Sequence, residues 1–137
     1  DVNFNISGDL FTSSKLYYGE STVMCKQVRL DCFLEKQELG TGEKIMLKID
    51  TQGMDIECLL SAGKYLGYVN LAILEIQMRP FVEGMNYFSD SVKKIVNAGF
   101  EICEIFNPIN RDFDGSLGQV DLLIAPKDSE IFSSNQW

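Results

Sequence analysis

The apolar positions of the chain predict two central strands joined through a helix. Continuous apolar runs occupy residues 45–49 and 71–76, each with one charged interruption, Lys48 and Glu75. Such runs are typical of parallel strands that are buried on both faces. The residues between them follow the i, i+3, i+4 spacing of an amphipathic helix, at Ile56, Leu59, Leu60, Gly63 and Leu66. We therefore predict a right-handed parallel βαβ unit over 45–76.

A second helix is predicted before Gly99. Ser89 or Asp90 is its N-cap, and it presents three apolar residues to the core, Val92, Ile95 and Val96. Gly99 is suited to the left-handed conformation that ends many helices.

The last part of the core is predicted to be a pair of antiparallel strands. Residues 100–106 alternate between apolar and polar, which indicates a strand with one exposed face near a sheet edge. Residues 107–118 read as a loop, and residues 120–125 form the strand that returns beside 100–106.

Residues 1–30 read as an irregular β-rich segment, with strands near 2–6, 11–18 and 23–30. Asp31 is predicted to N-cap a short helix that ends near Gly40. We expect one domain over 1–137, with an α/β core over 31–126 and a frayed tail over 127–137. Because the chain opens inside an alternating strand, we expect it to begin partway through a fold.

The charge balance narrows the range of partners. The net charge is −8 and the twelve basic residues are scattered, so we expect neither a nucleic acid nor an anionic membrane surface as partner. The sequence has no apolar run of about 20 residues, the length that spans a bilayer, and no secretion signal at its start.

The chemistry open to the chain is limited by the absence of histidine. Serine–histidine and cysteine–histidine nucleophiles are excluded, and we expect no metal site. The four cysteines lack the spacing of a zinc site or a redox pair, so we interpret them as reduced core residues in a cytoplasmic protein. Catalysis would depend on carboxylates, lysine, tyrosine or backbone dipoles.

Asp50 is the main candidate for a functional residue. It follows the strand 45–49 directly and precedes a turn into a helix, and ligands bind at such strand ends in open α/β sheets. It could equally serve as a turn or N-cap carboxylate. Buried charges need partners, so Lys48 and Glu75 are either a structural ion pair, a pair of outward-turned side chains, or part of a polar cluster with Asp50 that lines an acceptor pocket. Gln52 shapes the turn and is a lesser candidate for substrate contact.

Two further residues lie in the loop after the second strand. Arg79 and Tyr87 are either contacts for a ligand or ordinary solvated loop residues.

Five ordered blocks of sequence stand out: Val28-Arg29-Leu30-Asp31-Cys32-Phe33-Leu34, Leu47-Lys48-Ile49-Asp50-Thr51-Gln52-Gly53-Met54-Asp55, Ile73-Leu74-Glu75, Ala98-Gly99-Phe100 and Val120-Asp121-Leu122-Leu123. Together they resemble the FkbM family of S-adenosylmethionine-dependent methyltransferases. Their spacing agrees with the family over about residues 28–125. The family's glutamate after the glycine is replaced by the shorter carboxylate of Asp55.

The resemblance implies an α/β fold that is a partial Rossmann-like methyltransferase sheet. In it, the parallel βαβ unit precedes an antiparallel terminal strand pair, and a β-rich N-terminal segment is added. The implied activity is O-methylation of a hydroxyl on a sugar or small metabolite, with S-adenosylmethionine as cofactor. Asp50 and Glu75 would be catalytic, with Asp50 orienting or deprotonating the acceptor hydroxyl. Lys48 and Gln52 would bind this small-molecule acceptor.

One part of the family pattern is absent. No glycine-rich loop follows a first strand, and Gly40-Thr41-Gly42 precedes a strand instead. The chain is therefore expected to be the carboxyl-terminal half of the family's fold, with its cofactor-binding residues unassigned. The alternative is a non-catalytic truncated α/β module that acts by binding or self-association. In both cases we expect the edge of strand 45–50 to be covered by residues 2–30 or by a second copy, which would form a homodimer.

Overall fold

The structure, a computed structural model, describes residues 1–6, 21–40, 42–81 and 83–133. These residues contain the strands β1 (Val2–Ile6), β2 (Ser21–Cys25), β3 (Ile45–Ile49), β4 (Val69–Gln77), β5 (Phe100–Asn110) and β6 (Leu117–Pro126). They also contain the helices α1 (Leu30–Leu34), α2 (Asp55–Leu60) and α3 (Phe88–Asn97). Short 3₁₀ segments lie at Glu35–Gln37, Gly63–Tyr68 and Glu130–Phe132.

Four strands form a mixed sheet in the order β3-β4-β6-β5. β3 and β4 are parallel and are joined through α2, so the predicted βαβ unit is confirmed. β6 is antiparallel to β5, as predicted, and it is also antiparallel to β4. β6 therefore inserts between β4 and β5 and leaves β5 at the sheet edge. The fold is mixed α/β, and its parallel strands β3, β4 and β5 end on the same side.

The prediction that strand 45–49 is buried on both faces is wrong. Among the described residues, β3 pairs only with β4, and Met46 is 63% exposed. Ile45, Leu47 and Ile49 pack toward the core, while Met46 and Lys48 lie on the opposite, exposed face. The apolar run thus reflects an edge strand with one covered face.

The expected cover for this edge is not supplied by the described part of the amino-terminal segment. β1 pairs with β2 in a separate two-stranded antiparallel sheet, and neither strand pairs with β3. The predicted strand at 11–18 lies outside the described residues. Cover by a second copy stays a prediction.

The hydrophobic core lies between the sheet and the helices α2 and α3. Ile56 and Leu59 of α2 and Ile95 of α3 are buried there. The strands contribute alternate residues to the same core: Ile49, Ala72, Leu74, Ile76, Val120, Leu122 and Ile124. Burial of one large aliphatic side chain contributes about 1.5–3 kcal/mol. This packing fixes the ends of β3 and β4 relative to each other.

Only some of the apolar residues that were predicted to face the core from α2 and α3 do so. α2 ends at Leu60, which is exposed, and Gly63 begins the 3₁₀ segment with a φ of 52°. In α3, Val96 is exposed, and Tyr87 occupies the N-cap position without a side-chain hydrogen bond. Gly99 does adopt the left-handed conformation that was predicted, with a φ of 91°.

α1 begins two residues earlier than predicted. Arg29 occupies its N-cap position, and Asp31 lies in the first turn, where its carboxylate accepts a 2.8 Å bond from the Arg29 guanidinium. This exposed contact lowers the pKa of Asp31 to about 2. The helix ends at Leu34, well before Gly40, although the short segment Glu35–Gln37 continues the turn.

The strands at the end of the chain are longer than predicted. β5 and β6 extend into residues 107–118, and a tight turn at 111–116 joins them. Among the described residues, no helix is long and apolar enough to cross a membrane.

Candidate functional site

The turn after β3 carries the main candidate residue. Asp50 follows the last residue of β3, and the chain reverses through Gln52 and Gly53, which have φ values of 52° and 102°. Gly53 has no side chain to oppose this conformation. Gln52 does, and a non-glycine residue in this region costs about 1–3 kcal/mol unless surrounding contacts hold it.

The side chain of Gln52 makes such contacts. Its amide Nε2 donates to Asp50 Oδ1 at 2.9 Å and to Glu75 Oε1 at 2.9 Å. Because Ile49 of β3 is in register with Leu74 of β4, the residues that follow them, Asp50 and Glu75, lie side by side. The structure thus brings together Asp50 and Glu75, which we call the bridged carboxylates, through Gln52.

Lys48 joins the same group through an ion pair. Its Nζ lies 3.5 Å from Asp50 Oδ2, and the two side chains are 50% and 46% exposed. An exposed pair of this kind contributes about 0.2–1 kcal/mol at most. Lys48 therefore adds a positive charge beside Asp50 more than it adds stability. Among the ion pairs of the described residues, Lys48 pairs with Asp50 and not with Glu75, so the predicted ion pair between Lys48 and Glu75 is not formed.

Glu75 has an unusual electrostatic environment. Burial raises its pKa, and the charges of Asp50, Asp55 and Asp121 raise it further. Gln77 donates to Glu75 Oε1 at 3.2 Å and opposes this shift. The raised pKa makes the protonated form of Glu75 more favourable than it is in an ordinary glutamate.

Asp55 is the residue whose structural role the sequence did not reveal. It is 2% exposed, and its carboxylate accepts hydrogen bonds from Thr51 N and Oγ1, from Gly53 N and from Glu75 N. Burial raises its pKa to about 6. Asp55 thus joins the turn after β3 to the backbone of β4. One signal was available, because Asp55 lies four residues before Leu59 and so shares the buried face of α2.

A cavity of about 390 Å³ lies beside the turn, between α2 and the segment that joins β2 to α1. Asp50, Thr51 and Met54 line one side, and Cys25 and Arg29 line the other. This volume is within the usual range for small-molecule sites. Of the candidate residues Lys48, Asp50, Gln52 and Glu75, Asp50 alone lines this cavity. Glu75 borders a much smaller cavity of about 10 Å³, on the side of Gln77 and Ser91.

The described residues do not match the requirements of a nucleotide-type cofactor. The turn that joins β3 to α2 contains one glycine, and Gly40 and Gly42 precede β3. No described strand is followed by a glycine-rich turn into a helix, the element that cradles such cofactors. We therefore assign no cofactor-binding residue in the described part of the chain.

The structure also shows which side chains could bind a metal ion and whether the cysteines are paired. The described residues contain no group of three or more cysteine, aspartate or glutamate side chains that could hold a metal ion. The four cysteines are free thiols. Cys32 is exposed, so the interpretation of every cysteine as a core residue is wrong at that position.

Comparisons of this chain with protein-family models, with curated proteins and with solved structures gave no match.

Proposed function

We propose that this chain provides the acceptor side of an FkbM-type methyltransferase that works in the cytoplasm. The acceptor is a hydroxyl of a sugar or small metabolite, and S-adenosylmethionine is the methyl donor. The observation that carries the proposal is the pair of bridged carboxylates, in which Asp50 follows the last residue of β3 and Glu75 lies beside it near the end of the parallel strand β4. Ligands of open α/β sheets bind at such ends.

The order of the elements supports the same proposal. A parallel βαβ unit precedes a terminal antiparallel pair, which is the sheet ending that the family resemblance implies. Under this proposal, the four-stranded sheet is part of a Rossmann-like methyltransferase sheet.

The chemistry assigned to Asp50 is proton acceptance. A hydroxyl oxygen becomes a better nucleophile when a carboxylate takes its proton as the new bond forms. Asp50 lines the 390 Å³ cavity, and Gln52 fixes the orientation of its carboxylate. Lys48 supplies a positive charge beside it. Glu75 accepts the second hydrogen bond from the Gln52 amide and so helps to hold Gln52 in this position.

The proposal concerns the acceptor side because the described residues lack a glycine-rich cofactor turn. Calorimetric titration with S-adenosylmethionine should show no micromolar binding by this chain. Micromolar binding would overturn the assignment of the chain to the acceptor side alone.

Acceptor binding is testable by nitrogen-15 NMR. We expect methyl α-glucopyranoside to shift the signals of Asp50, Thr51 and the Gln52 side-chain amide. The fully O-methylated form of the same sugar is the matched control, because it has no hydroxyl to donate. Asp50→Asn should weaken the binding about tenfold, the loss of one charge-assisted hydrogen bond. Equal shifts with both sugars, or shifts elsewhere only, would contradict the proposal.

A second candidate function is a non-catalytic α/β module. The observation that favours it is the lack of a cofactor turn in the described part of the chain. This module would act through the exposed edge of β3, and hydroxyl compounds would leave the signals of the bridged carboxylates unchanged.

A further inference from the structure

A second cavity lies at the same end of the sheet as the bridged carboxylates. Its volume is about 450 Å³, within the usual range for small-molecule sites. The segment after β4 forms one wall, with Arg79 and Phe81. The end of β5, with Ile109, and the turn after it, with Arg111, form the other. The cavity therefore combines apolar surface with two guanidinium groups.

The concentration of arginine in this cavity is unusual for the chain. The sequence has a net charge of −8 and three arginines, and two of the three line this one cavity. Arg111 Nε lies 3.7 Å from Asp114 Oδ1. No carboxylate of the described residues lies within ion-pairing distance of Arg79. One guanidinium is therefore available for a ligand.

The two arginines also act on a common neighbour. Two hydrogen bonds from Ser116 lower the pKa of Asp114, and the charges of Arg111 and Arg79 lower it further. Both guanidinium groups are thus close enough to influence the same carboxyl group, although they belong to separate segments of the chain.

Gly118 allows Ile109 and Arg111 to lie close to the start of β6. A Cβ at this position would lie 3.0 Å from Arg111 Cγ and 3.2 Å from the Ile109 carbonyl oxygen. The carbonyl oxygen of Gly118 accepts a 2.8 Å bond from the amide of Met78, directly before Arg79. A side chain at position 118 would push Arg111 out of its place in the cavity wall.

We infer that this cavity binds a carboxylate attached to an apolar body. A guanidinium group presents a planar pair of donors that matches a carboxylate. The partial neutralisation of Arg111 by Asp114 favours a monoanion over a dianionic phosphate. Phe81, Ile109 and Leu117 provide apolar surface for the rest of the ligand. Asp112, which also lines the cavity, is the carboxylate that opposes this binding. The inference is independent of the methyl-transfer proposal.

Hexanoate is the probe for the first experiment, monitored by nitrogen-15 NMR. We expect saturable shifts at Arg79, Arg111 and Gly118. Uncharged 1-hexanol and inorganic phosphate should each bind at least about tenfold more weakly, because each lacks one of the two required features. Phosphate that binds as well as hexanoate, or hexanoate shifts scattered over the surface, would overturn the inference.

Variants separate this cavity from general attraction to positive charge. Arg79→Ala should weaken hexanoate binding about tenfold. Arg29→Ala removes the same charge at the other cavity and should change the affinity by less than about twofold. Asp112→Asn should strengthen binding, and Gly118→Ala should weaken it while Arg79 stays in place. Equal losses in the Arg79 and Arg29 variants, or no loss in either, would refute the site.

Discussion

The side-chain amide of Gln52 donates a 2.9 Å hydrogen bond to Glu75, which lies 23 residues further along the chain. The same nitrogen donates to Asp50 at 2.9 Å. Two carboxylates that would otherwise repel each other are thus held together, Asp50 directly after β3 and Glu75 within β4. The left-handed backbone of Gln52 places its side chain between them.

Substitution of Gln52 separates the contribution of this amide from the strain of the turn. Gln52→Ala removes both hydrogen bonds and keeps a side chain at positive φ, so we expect a loss of about 1–3 kcal/mol in the free energy of unfolding. Gln52→Gly removes the same bonds but relieves the strain, so its loss should be smaller.

Urea denaturation measures both values. Gln37→Ala is the control, because Gln37 is exposed and makes one long bond of 3.4 Å to the Phe33 carbonyl. A loss for Gln52→Ala that is no greater than the loss for Gln37→Ala would show that the bridge does not stabilise the fold.

The raised pKa of the buried Asp55 carboxyl group should make the free energy of unfolding depend on pH. Burial raises its pKa from 3.8 to about 6, so between these pH values the folded chain binds a proton that the unfolded chain releases. The contribution of Asp55 to stability is therefore fully present below about pH 4 and is lost as the pH rises through 6, by about 3 kcal/mol. Glu75, whose pKa is also raised, contributes in the same direction.

Asp55→Asn should flatten this decrease between pH 4 and pH 7, as measured by urea denaturation at each pH. Asp90→Asn is the matched control on the exposed side of α3, and it should leave the slope unchanged. If the Asp55 and Asp90 variants keep the same slope as the unaltered chain, the proton is not bound at Asp55.

Two adjacent leucines test the orientation of α2. Leu59 is fully buried, while Leu60 is 37% exposed. Leu59→Ala should lower the free energy of unfolding by about 2–5 kcal/mol through the cavity that it leaves. Leu60→Ala should have a much smaller effect, under about 1.5 kcal/mol. Equal effects in urea denaturation would place the buried face of the helix elsewhere.

The edge of β3 predicts self-association. Among the described strands none covers this edge, and exposed Met46 adds apolar surface to it. We expect sedimentation velocity to show a dimer whose fraction increases with concentration. Met46→Lys should reduce that fraction, whereas Met24→Lys, which adds the same charge on β2, should not. A monomer at every concentration would contradict the predicted homodimer.

Local patterns in the sequence were sufficient to predict much of the sheet. The apolar runs around Ile49 and Leu74 and the alternation from Phe100 onward gave the βαβ unit and the antiparallel pair. Strand order was not accessible in the same way. The insertion of β6 between β4 and β5 depends on pairing between residues that are far apart in the sequence. The edge position of β3 likewise depends on the rest of the fold, because no second described strand pairs with it.

The sequence was sufficient to predict which residues belong to the candidate site, but not the hydrogen bonds that join them. Lys48, Asp50 and Glu75 stood out because they interrupt or end apolar strands. The part played by Gln52 depends on a positive φ that glutamine rarely adopts, and no sequence rule predicts this. The burial of Asp55 was not predicted, because it follows from the docking of α2 on β4.

The most direct test of this account is a carbon-13 NMR titration of the Glu75 side-chain carboxyl group. Burial and the nearby charge of Asp50 raise the pKa of Glu75. We therefore predict a pKa above the ordinary glutamate value in the unaltered chain, and a lower pKa in Asp50→Asn than in the Asp90→Asn control. An ordinary pKa that Asp50→Asn leaves unchanged would show that the two carboxylates do not form one coupled site.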